Sequence, residues 1–180
     1  MNGFSFTPDN KQISHVPYFE DACRDEGWQG YSTTKTVKKL QAEIGDSISR
    51  LGGIVSAFQR GSFLIDDKTR EGFRVHYSIQ NPNMKLVSGR IDIAALPVHN
   101  KRDEIKKDKA LRMALYMLRN ALDGMWFMQQ LSPGYSALMP WMLADGERTV
   151  SQLWSESALM SNLLPPAESD FVIDAEYSKG

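Results

Sequence analysis

The chain has 180 residues, 42% hydrophobic and 24% charged, a composition that suits a globular domain with a sizeable core. Its single cysteine, Cys23, excludes a disulfide framework and any CxxC metal or redox site. With 21 basic and 22 acidic residues the formal net charge is −1, so the whole-chain balance selects no class of partner.

In chain order, residues 1–33 read as an aromatic arm. Phe4, Phe6, Tyr18, Phe19, Trp28 and Tyr31 are spaced by prolines and glycines, and a short helix is expected near Tyr18 to Asp25. Met1 to Asn10 shows no basic region followed by an apolar run, so no signal peptide and a cytoplasmic location are expected. An α+β core domain is expected over 34–143. It opens on a helix from Thr34 to Leu51, where Val37, Leu40, Ile44, Ile48 and Leu51 recur at steps of three and four and line one face. Gly52-Gly53 supplies the stop, because glycine takes the left-handed conformation of a helix end without steric cost.

Three strands are expected next. Ile54 to Ile65 is β-branched and aromatic, with Gly61 as a bulge or bend. A polar turn is expected over 66–72. Phe73 to Gln80 alternates, with Phe73, Val75, Tyr77 and Ile79 on one face and Arg74, His76, Ser78 and Gln80 on the other. Asn81-Pro82-Asn83 turns the chain into Lys85 to Leu96, whose Val87, Ile91, Ile93 and Ala95 share a face if Gly89 is accommodated. One apolar and one polar face is the pattern of an antiparallel sheet half open to water.

After Pro97 to Asn100, a long helix is expected from Lys101 to Gln130. Leu111, Leu115, Leu118, Leu122 and Met125 form its core stripe, with Met128 as a candidate to extend it, and Ala110, Ala114 and Ala121 permit close approach. Arg112, Arg119, Asn120 and Asp123 make this stretch too polar to span a membrane, so no membrane association is expected. Ser132-Pro133-Gly134-Tyr135 ends it with turn chemistry. Residues 144–166 are the C-terminal helical extension; its helix runs from Val150 to Leu164, with Thr149 and Gln152 at capping-box spacing and Pro165-Pro166 as the stop. Residues 167–180 are expected as an acidic, flexible tail. The expected fold is α+β, helix-strand-strand-strand-helix, with a three-stranded antiparallel sheet packed on helices.

Charge is unevenly placed along this plan. Residues 1–30 carry a net −3, residues 31–120 a net +8, and residues 121–180 a net −6. Such asymmetry points toward a polyanionic partner for the basic part. Lys101, Arg102, Lys106, Lys107, Lys109 and Arg112 open the long helix, where cations oppose the helix dipole, and phosphate contact is the simplest functional reason for them. Arg74 on the polar face of the middle strand, with Arg60 and Arg90 on its neighbours, extends the basic surface. The nucleic-acid-binding set is therefore Arg60, Arg74, Arg90, Arg102, Lys106, Lys107, Lys109 and Arg112. The competing reading of each is a solvated charge balanced in cis.

Met125, Trp126, Phe127, Met128 and Trp141 lie in a Met- and aromatic-rich stretch that one helix face cannot bury, which favours a subunit interface. In the tail, Phe171-Val172-Ile173 among acids offers a docking segment for a protein partner. Catalysis has no positive sign: GxSxG, P-loop, GxGxxG and HExxH patterns are absent. His15, His76 and His99 have no ligand spacing, and Asp66-Asp67 with Glu71 read equally well as a cation-binding group or as turn formers. No catalytic residue, cofactor or metal is expected.

In element order, residues 34–122 resemble two known groups. Lys106-Lys107-Asp108-Lys109-Ala110 is similar to the clustered lysines that open the last helix of double-stranded RNA-binding domains, here with Pro97 to Glu104 inserted before them. A three-stranded antiparallel sheet followed by a basic helix also resembles single-strand annealing recombinases, which assemble into rings. Either resemblance implies nucleic-acid binding without catalysis. The expected function is a non-enzymatic nucleic-acid-binding homo-oligomer making mainly phosphate-backbone contacts, with single-strand binding or annealing as its sharper form. The alternative is an assembly subunit whose working surface is the 125–143 region.

Overall fold

Local signals set the ends of each element in the computed structural model, which describes residues 16–22, 26–65, 67–81 and 83–155. Helix α1 (Val37–Arg50) begins where the Thr36 side chain accepts a hydrogen bond from the Lys39 N–H at 3.2 Å, and it ends at Gly52, whose φ of 88° is the left-handed value a helix stop requires. Strands β1 (Gly53–Ile65), β2 (Lys68–Gln80) and β3 (Leu86–Ala94) pair antiparallel in that order. Helix α2 (Glu104–Leu131) starts on Asp103, which accepts from the Lys106 N–H at 3.0 Å, and a short helix α3 (Val150–Ser155) follows. The fold is thus α+β in the expected element order. The acidic tail, the helix beyond Ser155, His15, Cys23, Phe4 and Phe6 lie outside the described residues.

One face of the sheet is dry. Phe73, Val75 and Tyr77 of β2 and Ile91 of β3 are buried against Leu40, Ile44 and Ile48 of α1 and Leu111, Leu115, Leu118 and Leu122 of α2. Burial of each such side chain is worth about 1.5–3 kcal/mol, so this apolar layer dominates the stabilising side of folding. The two helices run side by side in the same direction. Lys35 just before α1 lies over the Tyr116 ring, Ser47 donates to Asp123 at 2.8 Å, and Arg50 lies 4.4 Å from the Trp126 ring centroid.

Tyr77 shows how the core dictates sequence. It sits opposite Gly89, and a Cβ on Gly89 would fall inside the tyrosine ring, so only glycine lets β3 pass. The Tyr77 hydroxyl donates to the Leu138 carbonyl at 2.9 Å, and burial pushes its pKa well above the ordinary tyrosine value. That bond ties down the chain after α2, where Ala137 and Leu138 close the core.

Four expectations are corrected. The stretch 66–72 is not one polar turn: β2 starts at Lys68, because its alternation continues back through Glu71 and Thr69 opposite Ser62 and Leu64. The bulge of β1 is at Ser56, between Val55 and Ala57, while Gly61 pairs regularly with Gly72. Helix α2 starts at Glu104, since the Asp103 cap leaves Lys101 and Arg102 in the preceding turn. Ala121 faces solvent, whereas Ala110 and Ala114 are buried.

The ends of the chain fold back on this frame. In the arm, a 3-10 turn at Phe19–Asp21 buries Phe19, whose N–H donates to Pro97 O at 2.8 Å and whose ring stacks on Tyr31. Beyond α2, residues 142–150 make a small hairpin, with Leu143 bridging Thr149 and Val150 N–H donating to Met142 O. Met142 also bridges Gly89, and Leu143 N–H donates to Ser88 O at 2.9 Å, so this hairpin covers part of the β3 edge. Thr149 and Gln152 then form the expected capping box, each side chain accepting from the other's N–H.

Candidate functional site

A cleft of about 520 Å³ lies at the end of the sheet where β1 turns into β2. Lys68 and Arg70 come to it from β2, Lys101 from the turn before α2, and Lys107 from the first turns of that helix. Its floor is apolar, made by residues 95–98, and Glu71 is the one carboxylate among the described residues of its wall. The first residues of β2, Lys68 to Glu71, all line it, so the cleft takes side chains from both faces of the strand end. Arg70 is held with its guanidinium donating to Ala95 O at 2.7 Å, and Lys68 lies over the Tyr18 ring at 4.7 Å. Lys68 and Lys101, without ion pairs among the described residues, are the cations of this cleft that phosphate oxygens can reach without displacing a carboxylate.

The carboxylate of the wall is occupied. Glu71 accepts from Arg60 at 2.7 Å and lies 3.7 Å from Lys107. The Arg60 hydrogen bond holds the Glu71 carboxyl below its ordinary value of 4.5, with the Lys107 charge adding to the effect against burial. Lys107 also pairs with Glu104 at 2.8 Å, and this bond raises its own pKa.

The structure distributes the sequence-derived binding set over three places. Arg60 and Lys107 meet at Glu71 beside the cleft. Arg74 and Arg90 meet on the wet face of the sheet at Asp92, which Arg74 grips with two bonds of 2.7 and 3.0 Å. Arg90 is further committed to Glu147 O and the Gln152 side chain. Lys106 and Arg112 turn toward the arm: Lys106 lies 3.2 Å from Glu20, and Arg112 pairs with Asp108 and donates to Thr33 O. Burial pushes the Glu20 carboxyl up, but hydrogen bonds from its own N–H, the His99 N–H and Lys106 outweigh it and hold the group below the ordinary range. Arg102 and Lys109 are exposed and have no ion pair among the described residues.

Sequence reading missed Lys68 and Arg70 because it assigned them to a turn. The signal was present: Lys68, Arg70, Arg74 and His76 fall at even spacing, which continues one strand across Gly72. Lys101 was legible as part of the basic cluster, but its place in the cleft depends on Asp103 starting the helix after it.

The 125–143 set divides. Trp126 is half-buried between Arg50 and an edge-on Phe127, and Met125 and Trp141 pack partly against the core. Phe127 and Met128 are 57% and 49% exposed, and Leu131 at 78% and Met139 at 50% lie beyond them. Among the described residues no group of three or more histidine, cysteine or carboxylate side chains has the geometry to hold a metal ion, and no helix is long and apolar enough to cross a membrane. Compared with family models, curated proteins and solved structures, the chain matches none.

Proposed function

We propose that this protein is a non-enzymatic nucleic-acid-binding homo-oligomer whose contacts go mainly to the phosphate backbone. The observation that carries the reading is the cleft, in which Lys68 and Lys101, without ion pairs among the described residues, stand beside Glu71, a carboxylate already engaged by Arg60. Arg102 and Lys109, without ion pairs among the described residues, extend the cationic surface along the start of α2. The cations locked to Asp92, Glu20 and Asp108 contribute less, because a phosphate must displace a carboxylate to reach them. Contacts of this kind carry little sequence information and release counterions, so affinity depends steeply on salt.

The test is charge reversal at exposed positions that hold no fold contact. Lys101→Glu with Lys109→Glu should weaken binding to a labelled oligonucleotide and lower the salt slope by about 2, roughly one for each phosphate no longer held. Unchanged affinity and slope in the double variant would remove this surface from the reading.

A second reading has its own observation. Phe127, Met128, Leu131 and Met139 expose large apolar side chains around the end of α2. An assembly subunit would use this surface, and Leu131→Asp would then lower the mass in light scattering while leaving oligonucleotide binding per chain intact.

A further inference from the structure

The sheet has two edges, and the chain treats them differently. The β3 edge is bridged at Gly89 by Met142, capped at Ser88 by Leu143 N–H, and flanked by the hairpin that Arg90 grips through Glu147 O. The β1 edge has nothing comparable. From Gly53 to Ile65 no backbone group bonds to any described segment other than β2. Half of the amides and carbonyls of a strand point away from its one neighbour, so among the described residues a row of strong hydrogen-bonding groups has no partner along these 13 residues.

Chains that stay monomeric blunt such an edge with lysines, proline or repeated bulges. This strand carries no lysine and no proline, and its one bulge, at Ser56, lies near the start. Arg60 is its sole ionised residue and is neutralised across the ladder by Glu71 at 2.7 Å. Gln59, Arg60, Gly61 and Ser62 are all exposed, so the middle of the strand is open on both faces as well as along its edge. Ile54 at 70% and Leu64 at 75% exposure leave apolar side chains to meet a neighbouring strand at either end.

We infer that β1 is a strand-pairing interface whose occupant is a second copy of this chain, extending the sheet across the subunit boundary. A copy suits the edge because its one strand charge, Arg60, is already neutralised by Glu71, and because it brings the same apolar residues to cover Ile54 and Leu64. The inference concerns assembly and stands apart from the nucleic-acid reading. It also differs from a seam at the end of α2.

The experiment measures mass by light scattering and backbone hydrogen exchange on the full chain at two concentrations about a hundredfold apart, for the natural sequence and for Gly61→Lys. A side chain at Gly61 meets open space, so this variant keeps the monomer fold, which its circular dichroism and melting temperature check. The expected result is a mass of at least two chains, with alternate β1 amides protected at high concentration and fast at low. Gly61→Lys should lower the mass to one chain and abolish the concentration-dependent protection. A monomeric mass overturns the inference. Edge protection that does not change with concentration also overturns it, since the chain's own residues then cover β1. An oligomer that survives Gly61→Lys but is split by Leu131→Asp places the seam at α2 instead and overturns it equally.

Discussion

Glu71 is the residue through which charge in the cleft is set. It draws Arg60 and Lys107 together and cancels part of their field. Replacing it with the isosteric amide leaves the wall of the cleft in place and frees Arg60, while Lys107 keeps its pair with Glu104. Glu71→Gln should therefore strengthen oligonucleotide binding and steepen the salt slope by about 1 for the cation released, read by anisotropy at several salt concentrations. Weaker binding in this variant would mean that Glu71 orders the site more than it masks it. The same carboxyl links stability to acid. Its folded pKa, like that of Glu20, lies below 4.5, so the unfolded chain takes up these protons first. The stabilisation is complete above about 4.5 and is lost as pH falls through the folded values. Melting temperature should drop over that range, and Glu71→Gln should flatten the drop.

Gly89 gives the matching case for packing. Its position opposite Tyr77 leaves no space for a methyl group, so Gly89→Ala should cost about 1–3 kcal/mol by overpacking. A urea titration should show the midpoint falling with little change in slope. The need to accommodate Gly89 was legible in the sequence, because it interrupts the apolar face of Val87, Ile91 and Ile93. That the reason is a tyrosine ring was not, since no periodicity reports which side chain lies opposite on a neighbouring strand.

At the scale of elements, the legible features were those with local causes. The stripe Leu40, Ile44, Ile48 and Leu51, the glycine stop at Gly52 and the Thr149–Gln152 box depend on residues within a few positions of each other, and each stands as read. Strand ends depend on pairing. Lys68 to Gly72 looks like a turn by composition, yet opposite Gly61 to Ile65 its backbone groups find ladder partners and it extends β2. The start of α2 has the same lesson. Glu104 and not Lys101 is the first helical residue because Asp103 caps the helix there, so Asp103→Ala should cost about 1 kcal/mol and loosen the turn that carries Lys101. Hydrogen exchange of the Lys106 amide, which donates to Asp103, is the direct readout. Full protection there in the variant would deny the cap its role.

Across the whole molecule, the sequence located a basic middle between acidic flanks but not how that charge is spent. Of the eight cations it singled out, six are tied to carboxylates, because the strands and the arm bring Asp92, Glu71 and Glu20 within reach from distant positions in the chain. The cleft arises from the opposite accident of folding, which brings Lys68 and Lys101 to one place without a carboxylate partner among the described residues. Binding to a polyanion is the claim on which the functional reading stands. Fluorescence anisotropy with labelled single-stranded DNA, duplex DNA and RNA, titrated at about 50 and 200 mM salt, tests it most directly. Binding to at least one of the three that weakens about tenfold or more between those salt concentrations is the predicted result. No binding to any of them at the lower salt, or binding indifferent to salt, would contradict it.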